Sequence, residues 1–255
     1  MEYLYQLITA NDAISLSSAL VLIVVSLFTS LMTAMLGIGG GVLLLAVMAG
    51  SMPVGALIPV HGLVQLGSNG NRALMTLKYV DWSMVKFFAF GAILGAVFAS
   101  FVVVQLPLVL IQFAVATFIL FLVWGPKPKA QEMSVIGRVA AGIITTLISM
   151  FVGATGPLVA AFVHRNNYDK MQVTGTFASC MTLQHGLKAF VFTFVGFSFT
   201  QWAGLIIAMV VSGAIGTMIG LKMLKRVPTE KFMLAFKAVV SLLALRLVWQ
   251  AVESL

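Results

Sequence analysis

Acidic residues are scarce in this chain. Glu2, Asp12, Asp81, Glu132, Asp169, Glu230 and Glu253 are all it has, against 15 Lys and Arg, and each falls at the end of an apolar block or between two. No carboxylate is left inside a block to hold a cation, relay protons or form a paired acid and base. Cys180 is the single cysteine, which excludes an internal disulfide and any paired-cysteine metal spacing. Charged residues make up only 9% of the chain and hydrophobic ones 61%, with a mean hydropathy of +1.09, which excludes a soluble enzyme. The formal net charge of +8 would suggest nucleic acid in a soluble protein. Here the basic residues sit between apolar blocks, the distribution of a polytopic membrane protein, so no nucleic-acid partner is expected. The segment from Met1 to Asp12 lacks the basic flank of a cleaved signal peptide and reads as mature chain.

A spanning helix needs about 20 apolar residues at 1.5 Å each. Measured by that ruler the chain divides into ten blocks: Ile14 to Leu36, Gly39 to Ala49, Val54 to Leu77, Trp82 to Val104, Leu108 to Trp124, Ser134 to Val152, Pro157 to Val163, Lys170 to Phe194, Gln201 to Leu224 and Glu230 to Val252. Pro53, Pro107, Pro126, Pro128 and Pro228 fall in the gaps. Two blocks, Gly39 to Ala49 and Pro157 to Val163, are too short to cross, and each follows a glycine cluster. That combination predicts half-helices that turn back inside the membrane.

Lys78 and Lys86, then Lys127, Lys129 and Arg138, then Arg165 and Lys170, then Lys222, Lys225, Arg226 and Lys231 mark four gaps as cytoplasmic. The gaps at Ser51-Met52-Pro53, at Gln105-Leu106-Pro107 and from Gly196 to Thr200 carry no Lys or Arg and should face outward. The expected fold is an all-α integral membrane protein of eight long helices and two re-entrant half-helices. Both termini lie on the outer side.

Sliding the chain on itself by 116 residues aligns Gly37 with Gly153, Gly40 with Gly156, Gly70 with Gly186 and Arg72 with Lys188. A shift of 121 then aligns Gly95 with Gly216 and Pro107 with Pro228. Residues 1–126 and 127–255 are therefore expected to be two repeat units. Because one starts outside and the other inside, the repeat is inverted, an architecture of secondary transporters.

The hairpins turn at Gly37-Ile38-Gly39-Gly40-Gly41 and at Gly153-Ala154-Thr155-Gly156-Pro157. A half-helix start offers unsatisfied N–H groups and a positive dipole end, which suits an anion. Thr155 is placed to cap the second half-helix, with Pro157 at its first position. The helix after each hairpin carries a polar stripe. His61, Gln65, Asn69 and Arg72 are spaced four, four and three apart, and Ser179, Thr182, His185 and Lys188 follow at threes, with Gln184 to one side. The bland readings are that the glycines only allow close packing, that Arg72 snorkels to the headgroups and that each histidine makes a helix-to-helix hydrogen bond. His61 and His185 are not repeat equivalents, since His61 aligns with Phe177. The candidate substrate-binding set is Gly39, Gly40, Gly41, His61, Gln65, Asn69, Arg72, Thr155, Gly156, Thr182, His185 and Lys188. Met32, Met35, Met48 and Met52 raise the thought of soft-metal transport, but without acidic or cysteine partners they read as packing. No metal and no cofactor is expected.

Gly37-Ile38-Gly39-Gly40-Gly41, Ser68-Asn69-Gly70-Asn71-Arg72, Val80-Asp81-Trp82 and Gly213-Ala214-Ile215-Gly216…Gly220 leading to Arg226, set in this duplicated layout, resemble the sulfite exporter TauE/SafE family over nearly the full length. The chain departs from that pattern at Val42-Leu43-Leu44-Leu45-Ala46, where a proline often follows the first glycine run, and at Ala154-Thr155-Gly156-Pro157, which replaces a second one. The resemblance implies transport of sulfite or organosulfonates such as sulfoacetate, usually across the bacterial inner membrane. The expected function is secondary transport of a small anionic solute by alternating access in a lipid bilayer, and a homo-oligomer is compatible with it. The alternatives are an anion channel, an intramembrane enzyme, for which none of the strong motifs is present, or a scaffold, against which the short loops weigh.

Overall fold

The computed structural model describes residues 2–37, 39–102, 108–126, 133–163, 168–224 and 230–253. Ile38, Val104, the gap at Gln105-Leu106-Pro107, Lys127, Pro128, Lys129, Glu132, Arg165, Lys225, Arg226 and Pro228 lie outside the described residues. Those described form helices joined by turns, with no strand among them. In order they are α1 (Glu2–Ile8), α2 (Leu16–Leu36), α3 (Gly40–Ala49), α4 (Val54–Met75), α5 (Trp82–Ser100), α6 (Leu108–Trp124), α7 (Val135–Val152), α8 (Gly156–Val163), α9 (Lys170–Phe194), α10 (Ala203–Met223) and α11 (Glu230–Glu253). Short 3-10 turns occupy Leu77–Tyr79 and Thr200–Trp202. Apart from α1, every helix matches an apolar block to within a few residues.

Local chemistry fixes the helix ends. Ser15 begins α2 by accepting from the Ser18 N–H at 3.1 Å, and Ser134 begins α7 by accepting from Gly137 at 3.2 Å. Asp169 and Gln172 form a capping box at the start of α9. Gly37 and Gly153 end α2 and α7 at φ +85 and +84, and their N–H groups donate to Thr33 O at 2.8 Å and Ser149 O at 3.0 Å. That positive φ is why both helices stop at glycine.

The polarity of the molecule is turned inside out. Phe28, Phe90, Phe98, Phe190, Ile207 and Trp249 are exposed, while Ser26, Thr29, Ser30, Thr145, Thr146 and Ser149 are buried. Such a surface suits lipid, not water. Among the described residues, four helical stretches are long and apolar enough to cross a membrane: Leu16–Leu36, Trp82–Ser100, Val135–Val152 and Thr200–Met223. Helices α4 and α9 reach 22 and 25 residues but are less apolar, because each carries its polar stripe into the interior, where the two helices pack on one another. Helix α6 is strongly apolar at 17 residues.

Packing follows an exchange rule. Helix α2 lies on α10 as α5 lies on α7, α4 touches α10 as α9 touches α5, and α4 meets α9 as α6 meets α11. The rule reaches single atoms. A Cβ on Gly95 would stand 2.5 Å from the carbonyl oxygen of Ile143, and one on Gly216 would stand 2.1 Å from that of Leu27. Gly142 sits against Phe88 O, and at the matching place Ser26 donates to Met209 O at 2.8 Å. Gly91 sits against Val139 O, and Ser212 donates to Ile23 O at 2.7 Å. Ser30 and Ser68 share a hydrogen bond of 2.9 Å where Gln184 donates to Thr146 at 3.3 Å. Each pair of contacts joins positions related by the offsets of 116 and 121. Side chains small enough to let backbones touch hold both seams.

Candidate functional site

Helices α3 and α8 both begin at one cavity near the middle of the α4 and α9 pair. At the start of α3 the Val42 and Leu43 N–H groups donate to Gly39 O at 3.0 and 3.1 Å, so the amides of Gly40 and Gly41 have no acceptor within the helix. At the start of α8, Leu158 and Val159 donate to Thr155 O at 3.0 and 3.1 Å, leaving Gly156 in the same position. Pro157, one residue further in, has no N–H to leave unmet. The helix therefore starts one residue earlier than the block ending at Val163 suggests.

The cavity is small and only partly closed, about 320 Å³ even when the open space at its mouth is counted. Gly39, Gly41 and Val42 line it from the α3 side, and Ala154, Gly156 and Pro157 from the α8 side. His61, Gln65 and Asn69 face it from α4, Phe177, Met181 and His185 from α9, and Thr33 from α2. The four-residue spacing of His61, Gln65 and Asn69 puts them on one face, and all three are buried.

His61 Nε2 lies 2.9 Å from the Gly41 carbonyl oxygen, so that nitrogen carries the donated proton and Nδ1 is buried without a partner. Asn69 donates to Gln65 O at 2.8 Å and to Gln65 Oε1 at 3.1 Å, and its own Oδ1 is unpartnered. His185 also has an unpartnered Nδ1, and its ring meets that of His61 edge to face with centroids 6.1 Å apart. Buried polar atoms without partners are costly, and these three belong to residues lining a cavity where a polar guest could satisfy them.

Of the residues singled out from the sequence, Gly39, Gly41, His61, Gln65, Asn69, Gly156 and His185 come together at the cavity. The others are placed elsewhere. Gly40 packs on α2, where a Cβ would come within 1.9 Å of Thr29 O. The Thr155 hydroxyl donates to Gln184 Oε1 at 3.1 Å, tying the α8 start to α9. Thr182 donates back along its own helix to Ala178 O at 2.7 Å. Lys188 is fully buried and donates from Nζ to Gly153 O at 2.7 Å. Arg72 is also fully buried, with its guanidinium carbon 5.9 Å from the Phe177 ring centroid and Nε, Nη1 and Nη2 all unpartnered.

Sequence reasoning missed Thr33, Val42, Phe177 and Met181 as lining residues. Phe177 and Met181 carried a usable signal, since they are the 116-residue partners of His61 and Gln65. Outside the spans, burial pushes the Asp81 carboxyl up. The Tyr168 hydroxyl, the N–H groups of Met84 and Ser83 and the charge of Arg138 outweigh that and hold it below its ordinary value. The same residue donates its backbone N–H to Thr176 at 2.9 Å, so it fixes the start of α5 against α9.

A protein-family model described as Sulfite exporter TauE/SafE matches residues 22–247. That stretch runs from the second turn of α2 into the last turns of α11 and contains every cavity residue. No curated protein and no solved structure matches the chain.

Proposed function

The chain belongs to the sulfite exporter TauE/SafE family, multi-pass membrane transporters of sulfur anions, and from that premise we propose that it is a secondary transporter whose cargo binds in the central cavity. The cargo is a small anion such as sulfite, sulfoacetate or a related organosulfonate. The observation that carries the reading is the shared cavity between Gly39 and Gly41 on one side and Gly156 on the other. Two positive helix ends aimed at one space favour a negative guest, and no acidic residue occurs in α3, α4, α8 or α9 to compete with it.

In this reading α3 and α8 are re-entrant half-helices, and the other eight helices from α2 to α11 are spans. Residues 1–126 and 127–255 are inverted repeats, and both termini lie on the periplasmic side of the cell inner membrane. The exchange rule in the packing supports the repeat, and the exposed apolar belt supports the spans. Alternating access then needs only a change in which side the cavity opens to. The cavity offers the anion neutral donors, namely the backbone amides of Gly41 and Gly156, the Gln65 side-chain amide and the His185 ring in its Nδ1–H tautomer, while His61 spends its proton on Gly41 O. Specific oxyanion sites can be built that way without a fixed charge.

Purified protein in sealed vesicles tests this. Saturable sulfite uptake that is slowed by Gln65→Leu and His61→Leu supports the carrier. Currents at single-channel rates would favour a channel instead, and vesicles that pass neither sulfite nor sulfoacetate would end the proposal.

A further inference from the structure

Arg72 and Lys188 occupy equivalent positions in the two halves, yet only one of them is satisfied. Lys188 spends its ammonium on Gly153 O, whereas all three guanidinium nitrogens of Arg72 are buried without a partner. No Asp or Glu occurs within α4, α8 or α9 to act as a resident counter-charge. A buried guanidinium that lies over a phenylalanine ring but makes no hydrogen bond is costly, and an anion that bonds to it would offset that cost.

The neighbourhood indicates where that partner sits. Phe177 borders both Arg72 and the start of α8. Its ring centroid is 5.9 Å from the guanidinium carbon, and its Cζ is 3.6 Å from where a Cβ on Gly156 would be. The same ring lines the central cavity. In the first half the equivalent position holds His61, a polar ring bonded to Gly41 at the start of α3. In the second half the ring is apolar and makes no such bond, so it can leave without breaking one.

We propose that Arg72 and the amide start of α8 form a second anion position, next to the central cavity and closed in this conformation by the Phe177 ring. The inference rests on the transport reading and adds a station to it. Its ligand is an oxyanion with two or three acceptor oxygens on one centre, a sulfite or sulfonate group. Such a group takes a bidentate pair of guanidinium N–H bonds and leaves an oxygen for the Gly156 amide. Arg72 lies in the last turn of α4, on the way from the cavity to the Leu77–Tyr79 turn, so this station lies on one exit path.

Phenylglyoxal labelling of arginine, read by peptide mass spectrometry on the full chain in vesicles, tests the arrangement directly. Arg72 should label slowly in the natural protein and readily in Phe177→Ala, and sulfoacetate, which does not add to the reagent's aldehyde as sulfite does, should protect it in that variant. In flux assays Arg72→Gln should weaken sulfite affinity roughly 10- to 100-fold, the range for a hydrogen bond to a charged group, with Arg72→Lys in between. Sulfite flux that is saturable in the natural protein but unchanged in affinity in both Arg72 variants would overturn this station and leave the transport reading standing. If Arg72→Gln does not fold, the labelling decides alone: an Arg72 that stays unlabelled in Phe177→Ala, or that sulfoacetate fails to protect, overturns the proposal. A natural protein that carries no sulfite or sulfonate overturns both readings together.

Discussion

Lys188 donates to the carbonyl oxygen of Gly153 at 2.7 Å, and so places a cation at the C-terminal end of α7 from a residue of α9 35 positions further along the chain. The contact joins charge to the negative end of a helix dipole and satisfies one of the carbonyls that α7 leaves open. Lys188 thus holds the hairpin before α8 in place. Replacing it with methionine keeps the aliphatic stem that packs on Gly62 but strips the partner from Gly153. The expected result is a stability loss of about 1–3 kcal/mol with sulfite affinity nearly unchanged, read by thermal unfolding in detergent beside a binding assay.

The seam glycines should behave as pairs. Alanine at Gly95 or Gly216 drives a Cβ into a backbone carbonyl at 2.5 or 2.1 Å and should lower the melting temperature strongly in both cases. Alanine at Gly70 or Gly186 meets only Thr182 or Leu66 at 3.8 Å, an ordinary contact. Those two variants should be neutral or gain up to about 1 kcal/mol from better helix propensity. Differential scanning fluorimetry on the four proteins checks the pattern.

Gly41 offers a way to narrow the cavity without disturbing the fold. A Cβ there would sit 3.3 Å from Gln65 Nε2, the mobile end of a side chain that can give way. Gly41→Ala should raise the KM for sulfite severalfold while leaving the melting temperature within a degree or two. A coupled loss of both would mean that the glycine serves packing alone.

Asp81 sets an acid limit. Its folded carboxyl lies below the ordinary value, so its contribution to stability is fully present above the unfolded pKa of about 3.9 and is lost as pH falls through the lower folded value. Asp81→Asn should therefore lower the melting temperature at neutral pH and flatten its fall below about pH 4. Melting curves between pH 3 and pH 7 would show whether the two proteins converge in acid.

The helices were legible because proline, glycine and the length of apolar runs act locally. The blocks at Leu108 and Lys170 even begin and end where α6 and α9 do. The close seams at Gly95 and Gly216 left a trace too, since a backbone pressed against a neighbour's carbonyl tolerates no larger side chain there. Side-chain destinations were not. Arg72 and Lys188 look alike in sequence, but one meets the end of α7 and the other a phenylalanine face, which depends on how α4 and α9 cross. His61 and His185 are not repeat partners, so nothing in the spacing indicated that their rings would touch. Helix α1 went unread because its seven residues are too few for periodicity to register.

The two glycine seams also constrain how the molecule can be divided. Since α2 is bound to α10 and α5 to α7, each seam stitches the first stretch of polypeptide to the second. Cutting the chain between Trp124 and Ser134 would therefore yield two fragments that are each incomplete and become a folded body only when made together in the same cell.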